Sequence, residues 1–92
     1  MTLLTPDQVE AQLAATQGWA LADGQIVRKV TKNDFGDALR YVNAVGYLAE
    51  KANHHPDITI SWNEVTLSIV SHSAGGLTDQ DFALARSVNS LD

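Results

Sequence analysis

The chain has 92 residues, a formal net charge of −5, 45% hydrophobic residues and no cysteine. That length fits one domain over residues 1–92, and so short a chain hides only roughly 60 to 65% of the surface its unfolded form exposes, which makes self-association a fair expectation. Disulfides and zinc–thiolate sites are excluded, the six scattered basic residues leave no phosphate-backbone footprint and hence no nucleic-acid partner, and no window approaches the roughly 18 apolar residues of a membrane span. "MTLLTPDQVE" carries no basic segment before a long apolar run, so a soluble, cytoplasmic protein is expected.

The first predicted element is a helix in "LLTPDQVEAQLAAT". Thr5 suits the N-cap, Pro6 the first helical position, where a missing N–H costs nothing, and Gln8 the third, which completes a capping box. Leu4 and Val9 occupy hydrophobic-staple positions, and the helix should run to about Thr16 and stop at Gly18. Asp23-Gly24 then marks a hairpin between a strand with Trp19 and Leu21 and one opening with Ile26 and Val27. From Asn33 or Asp34 apolar residues recur at steps of three and four, at Phe35, Ala38, Leu39, Val42, Val45, Gly46 and Ala49, as one stripe of a long helix. It must end by about His54, because the ring of Pro56 drives His55 out of the α region.

From Ile58 the period changes to two, with Ile58, Ile60 and Trp62 on one face and Thr59 and Ser61 on the other. Val65, Leu67 and Ile69 continue the pattern after Asn63-Glu64, read as the turn of a second hairpin, with Trp62 in the core. A last helix opens at "LTDQDFALARSV", with Thr78 as N-cap, Asp81 closing a capping box and Leu77 stapled to Phe82. The order α-β-β-α-β-β-α predicts an α+β fold, one four-stranded antiparallel sheet with three helices packed on one face. Outward Thr59, Ser61, Thr66 and Ser68 predict a wet opposite face, and edge strands offer subunits a second way to meet.

The three histidines stand at His54, His55 and His72. A turn at Asn63-Glu64 sets His55 opposite His72, so all three gather at one end of the hairpin. Glu50 lies one helical turn before His54, and Gly75-Gly76 can fold Asp81 back to the same corner. Imidazole both donates and accepts protons near neutral pH, which makes this a candidate centre for general acid and base chemistry. Each bland alternative has a physical basis: a lone histidine is commonly a surface or capping residue, and the capping box alone explains Asp81. A metal site from the histidines with Glu50 or Asp81 is not expected, since adjacent residues of an extended segment point to opposite faces.

Glu50, three residues, "HHP" at His54 to Pro56, five residues to Trp62, nine to His72 and eight to Asp81 resembles the signature of the pterin-4a-carbinolamine dehydratases. The likeness extends through "SHSAGGLTDQDFALA" and over nearly the whole chain. It implies the same sheet-and-helix fold, as a homodimer or a homotetramer built of such dimers, and dehydration of 4a-hydroxytetrahydropterin to quinonoid dihydropterin without metal or other cofactor. His54, His55 and His72 correspond to the family's active-site histidines, with His54 and His72 sharing proton transfer and His55 holding the pterin. Glu50 and Asp81 match its acidic positions, orienting an imidazole or contacting the substrate. Asn53 departs from members that carry aspartate there, which implies lower activity or a shifted pH optimum relative to them. Some members also serve as dimerisation cofactors of a transcription factor, so a scaffold with a protein partner is one alternative. An enzyme acting on another pterin, as in molybdopterin metabolism, is a second.

Overall fold

A computed structural model of the chain describes residues 2–92. The elements are α1 (Pro6–Ala14), β1 (Ala20–Ala22), β2 (Gln25–Thr31), α2 (Phe35–Ala52), β3 (Asp57–Ser61), β4 (Glu64–Ile69), a 3₁₀ turn (His72–Ala74) and α3 (Asp79–Asn89). The strands form one antiparallel sheet in the order β1-β2-β4-β3. This is the expected α+β architecture. No helix among the described residues is long and apolar enough to cross a membrane.

Local chemistry fixes the helix starts. Thr5 and Thr78 both cap, and both capping boxes close, with Gln8 and Asp81 reaching back to the cap backbone. The stapling residues Val9, Leu77 and Phe82 are buried, and Leu4 N–H donates to the Leu77 carbonyl at 2.9 Å, so the segments leading into α1 and α3 are tied together. α1 ends earlier than expected: Ala15 caps it, and Thr16 turns its hydroxyl back onto the Gln12 carbonyl at 2.7 Å. Asp23 and Gly24 both take positive φ, 52° and 76°, as the tight β1–β2 turn requires.

The sheet separates its faces cleanly. Ile26, Val65, Leu67 and Ile69 are fully buried, and in register Ile58 lies opposite Leu67 and Ile60 opposite Val65, so Ile26 and Val30 of β2 and the apolar residues of β3 and β4 share the helix side, while Val27, opposite Ser68, lies on the other. Thr59 and Ser61 are exposed and Thr66 and Ser68 partly exposed on the other side, as the alternation implies. α2 and α3 close the core with Ala38, Tyr41, Val45 and Ala49 from the first and Phe82, Leu84, Ala85 and Val88 from the second. The buried face of α2 is rotated from the expected stripe. Phe35 and Leu39 remain 45% and 41% exposed, and Tyr41 takes a core position in their stead.

The β3–β4 turn differs from the sequence expectation. Ser61 pairs with Glu64, so the two turn residues are Trp62 and Asn63, not Asn63 and Glu64. Glu64 is drawn into β4 because it is paired on both sides, to Ser61 and to Thr31. Asn63 is pinned to the loop after β2 by exchanging hydrogen bonds with Lys32, Nδ2 to the Lys32 carbonyl at 3.0 Å and Lys32 N–H to the Asn63 carbonyl at 2.8 Å. Trp62 is therefore no core residue; it sits at the turn with φ 51° and is 66% exposed.

Candidate active site

Three chain segments meet where β3 begins and β4 ends. The first is the end of α2. Asn53 adopts the left-handed conformation, φ 50° and ψ 43°, and the His54 N–H reaches back to the Ala49 carbonyl at 3.1 Å. This is a Schellman-type termination, and asparagine is the side chain that tolerates its left-handed residue best after glycine. The turn lifts His54 off the helix, and Pro56 then commits the chain to β3.

The second segment follows β4. Ser71 and Gly76 form an antiparallel bridge around the 3₁₀ turn, and Gly75, at φ 80°, supplies the left-handed residue that closes it. His72 opens this turn. The third is the start of α3, where Thr78 and Asp81 are buried in their capping box.

Asp81 links all three. Its carboxylate is fully buried. Oδ2 accepts from Thr78 N–H at 2.7 Å and from the Ser71 hydroxyl at 2.9 Å, while Oδ1 lies 2.5 Å from His54 Nε2. Ser71 and Thr78 hydroxyls also meet at 2.9 Å. Burying such groups costs several kcal/mol unless each is hydrogen-bonded, and here each has its partners. His54 keeps 12% of its side-chain surface open.

The remaining candidates are arranged differently. Glu50 pairs with His55 Nε2, not with His54, and both are well exposed, at 78% and 56%. His72 is also exposed. The revised β3–β4 register takes it past the ladder, so it does not face His55 across the hairpin. It is instead the neighbour in sequence of Ser71, whose Oγ lies 3.5 Å from His54 Nε2. No three His, Asp or Glu side chains among the described residues converge to hold a metal ion. Sequence reasoning missed Ser71 altogether and gave Thr78 only a capping role; a serine just past a strand has no local signal, since its partners come from two distant segments.

A histidine seated on a buried, capped carboxylate, with two further imidazoles on the adjoining segments, makes this an α+β domain equipped for proton transfer. The chain belongs to the pterin 4 alpha carbinolamine dehydratase family, whose model matches residues 2–91. It is 46% identical over 91 residues to a protein of Acidobacterium capsulatum named "Putative pterin-4-alpha-carbinolamine dehydratase", an alignment that covers 99% of each chain. A protein of the same name from Mycolicibacterium vanbaalenii is 43% identical, with 99% of this chain and 98% of that one covered. Among solved structures, a transcriptional coactivator/pterin dehydratase from Brucella melitensis superposes with a TM-score of 0.93 at 30% identity over 98% of both chains. A pterin dehydratase-like RuBisCO assembly factor of the alpha-carboxysome shares the fold, with a TM-score of 0.67 at 17% identity over 82% of this chain and 89% of that one.

Proposed function

We propose that the protein dehydrates 4a-hydroxytetrahydrobiopterin to quinonoid dihydrobiopterin and water, in the recycling of tetrahydrobiopterin. The N5 lone pair expels the C4a hydroxyl, an acid delivers the proton with which it leaves as water, and a base removes the N5 proton as the N5–C4a double bond forms. No net oxidation occurs, so the chemistry calls for acid and base only. Positioned side chains of this kind supply about 10² to 10⁴ in rate each. In this reading His54 and His72 share the two proton transfers, His55 holds the pterin, the fully buried Asp81 orients the His54 imidazole, and the exposed Glu50 orients His55 or contacts the ring.

The observation that carries the reading is the 2.5 Å contact of His54 Nε2 with the fully buried Asp81. Capping α3 occupies only one oxygen of that carboxylate; the other is given to an imidazole that keeps a small part of its surface open. The test is a panel of reduced pterins: the protein is expected to consume a 4a-carbinolamine faster than its spontaneous breakdown and to leave the others unchanged. Consumption of another pterin instead would move the activity elsewhere.

The assembly proposed is a cytoplasmic homodimer or homotetramer. Exposed Phe35, Leu39 and Tyr47 on α2 support it, as apolar surface in want of a cover. The same residues support a second reading, a surface for a protein partner, and the Brucella neighbour's description as a transcriptional coactivator is in keeping with it. In cells, loss of phenotype with His54→Ala favours the enzyme, and loss with Leu39→Ser at unchanged dehydration favours the partner.

A further inference from the structure

We infer that Ser71 and Thr78 are positioning residues that hold His54 in the Nε2-protonated tautomer, so that its working nitrogen is Nδ1. The inference rests on the dehydratase reading for its kinetic consequence, and on hydrogen-bond accounting for the tautomer itself.

The hydrogen bonds converge on Asp81. A carboxylate offers acceptors only, and Oδ2 already accepts from Thr78 N–H and from the Ser71 hydroxyl. Ser71 has one proton and gives it to Asp81, so the 2.9 Å contact between the two hydroxyls runs from Thr78 to Ser71. Thr78 Oγ1 accepts in turn from Gln80 N–H at 3.3 Å. The chain of donors is therefore directed, from Thr78 through Ser71 to the carboxylate, and such chains polarise one another in a buried site. Oδ1 faces His54 Nε2, and the only complementary partner for it there is an N–H. Neutral His54 then carries its proton on Nε2 and a lone pair on Nδ1. No hydrogen bond engages Nδ1 among the described residues, and among them the Tyr41 hydroxyl is the one buried side-chain polar atom without a partner, so Nδ1 opens to solvent. His54 thereby presents its basic lone pair at Nδ1, with the ring held by Asp81 through Nε2.

Ser71 is 2% exposed and Thr78 1%, so neither reaches a substrate directly. Their effect passes through Asp81, which they keep rotated toward His54.

Side-chain nitrogen NMR of the wild-type protein, above the pH at which imidazole titrates, is expected to report His54 as the Nε2–H form. Ser71→Ala is expected to broaden or mix that signature and to lower kcat about 10-fold with KM little changed, as loss of an orienting partner does. Ser71→Thr, which keeps the hydroxyl, is expected to restore both. A wild-type His54 protonated at Nδ1 would overturn the inference even if Ser71→Ala failed to fold. So would a folded Ser71→Ala protein with the wild-type tautomer and rate. A protein with the Nε2–H form but no dehydration of any 4a-carbinolamine would refute the proposed function and leave the tautomer assignment standing.

Discussion

Asp81 Oδ1 lies 2.5 Å from His54 Nε2, while the other oxygen of the same carboxylate caps the first turn of α3. One side chain thus closes a helix and orients the imidazole at the end of another, 27 residues away. The capping role and the functional role read from the sequence are two ends of one group.

Asp81→Asn separates them. The amide oxygen can still accept from Thr78 N–H and Ser71, but its NH₂ then confronts His54 Nε2 and demands a lone pair there. Stability is expected to fall by about 1.5–3 kcal/mol, the range for losing hydrogen bonds to a charged group. kcat is expected to fall by about 10² or more, because the base presents the wrong nitrogen. Urea unfolding and single-turnover carbinolamine decay check the pair of values. A rate within twofold of wild type would contradict the role assigned to the contact.

Asn53 is set by its backbone. At φ 50° an alanine is strained by about 1–2 kcal/mol, so Asn53→Ala should lower the urea midpoint and Asn53→Gly should not. Asn53→Asp restores a carboxylate beside His54 and should shift the pH profile of kcat; an unchanged profile would show that the residue serves the turn alone.

How far the sequence discloses the molecule depends on the range of the interaction. Thr5, Gln8, Thr78 and Asp81 could be read as caps because the partners that make them caps lie within three residues, and Asp23-Gly24 because its turn is a two-residue affair. The β3–β4 turn could not. Moving it from Asn63-Glu64 to Trp62-Asn63 shifts the register by two residues and leaves every side chain on its own face, so the alternation is blind to the difference. What decides it is Lys32, in the loop after β2. The same holds at the site: His54, His55, His72, Glu50 and Asp81 were visible as residue types at recognisable intervals, but the pairing of Glu50 with His55, and the presence of Ser71, follow from tertiary contacts alone.

Tyr41 offers a test in the core. Its hydroxyl is buried without a partner, and burial pushes its pKa above the ordinary 10.0. Tyr41→Phe should stabilise the fold by about 1 kcal/mol, since an unsatisfied buried group is removed. Above pH about 10 the unfolded chain releases a tyrosine proton that folded Tyr41 retains, so this residue makes stability fall as pH rises from there to the folded pKa. Urea midpoints at pH 8 and above pH 10 should show a smaller alkaline loss for Tyr41→Phe than for wild type.

Two glycines should respond in opposite directions. Gly75 closes the His72 turn at φ 80°, so Gly75→Ala should cost about 1–2 kcal/mol and disturb His72. Gly46 lies within α2 with open space around its added Cβ, and Gly46→Ala should stabilise by about 0.5–1 kcal/mol. Thermal melts of the two variants against wild type check the signs.

His55 and Glu50 form an exposed pair, and surface pairs contribute little to stability. His55→Gln should leave the melt unchanged and raise KM more than it lowers kcat, as befits a residue that holds substrate. A selective loss of kcat would make His55 a proton carrier.

The most direct measurement is the ultraviolet-monitored decay of enzymatically generated 4a-hydroxytetrahydrobiopterin with wild-type protein, with a His54→Ala, His72→Ala double variant and with buffer alone. Decay accelerated by the wild-type chain and returned to the buffer rate in a folded double variant is the result expected of a histidine-driven dehydratase. Wild-type decay equal to buffer, or a double variant as fast as wild type, would contradict it.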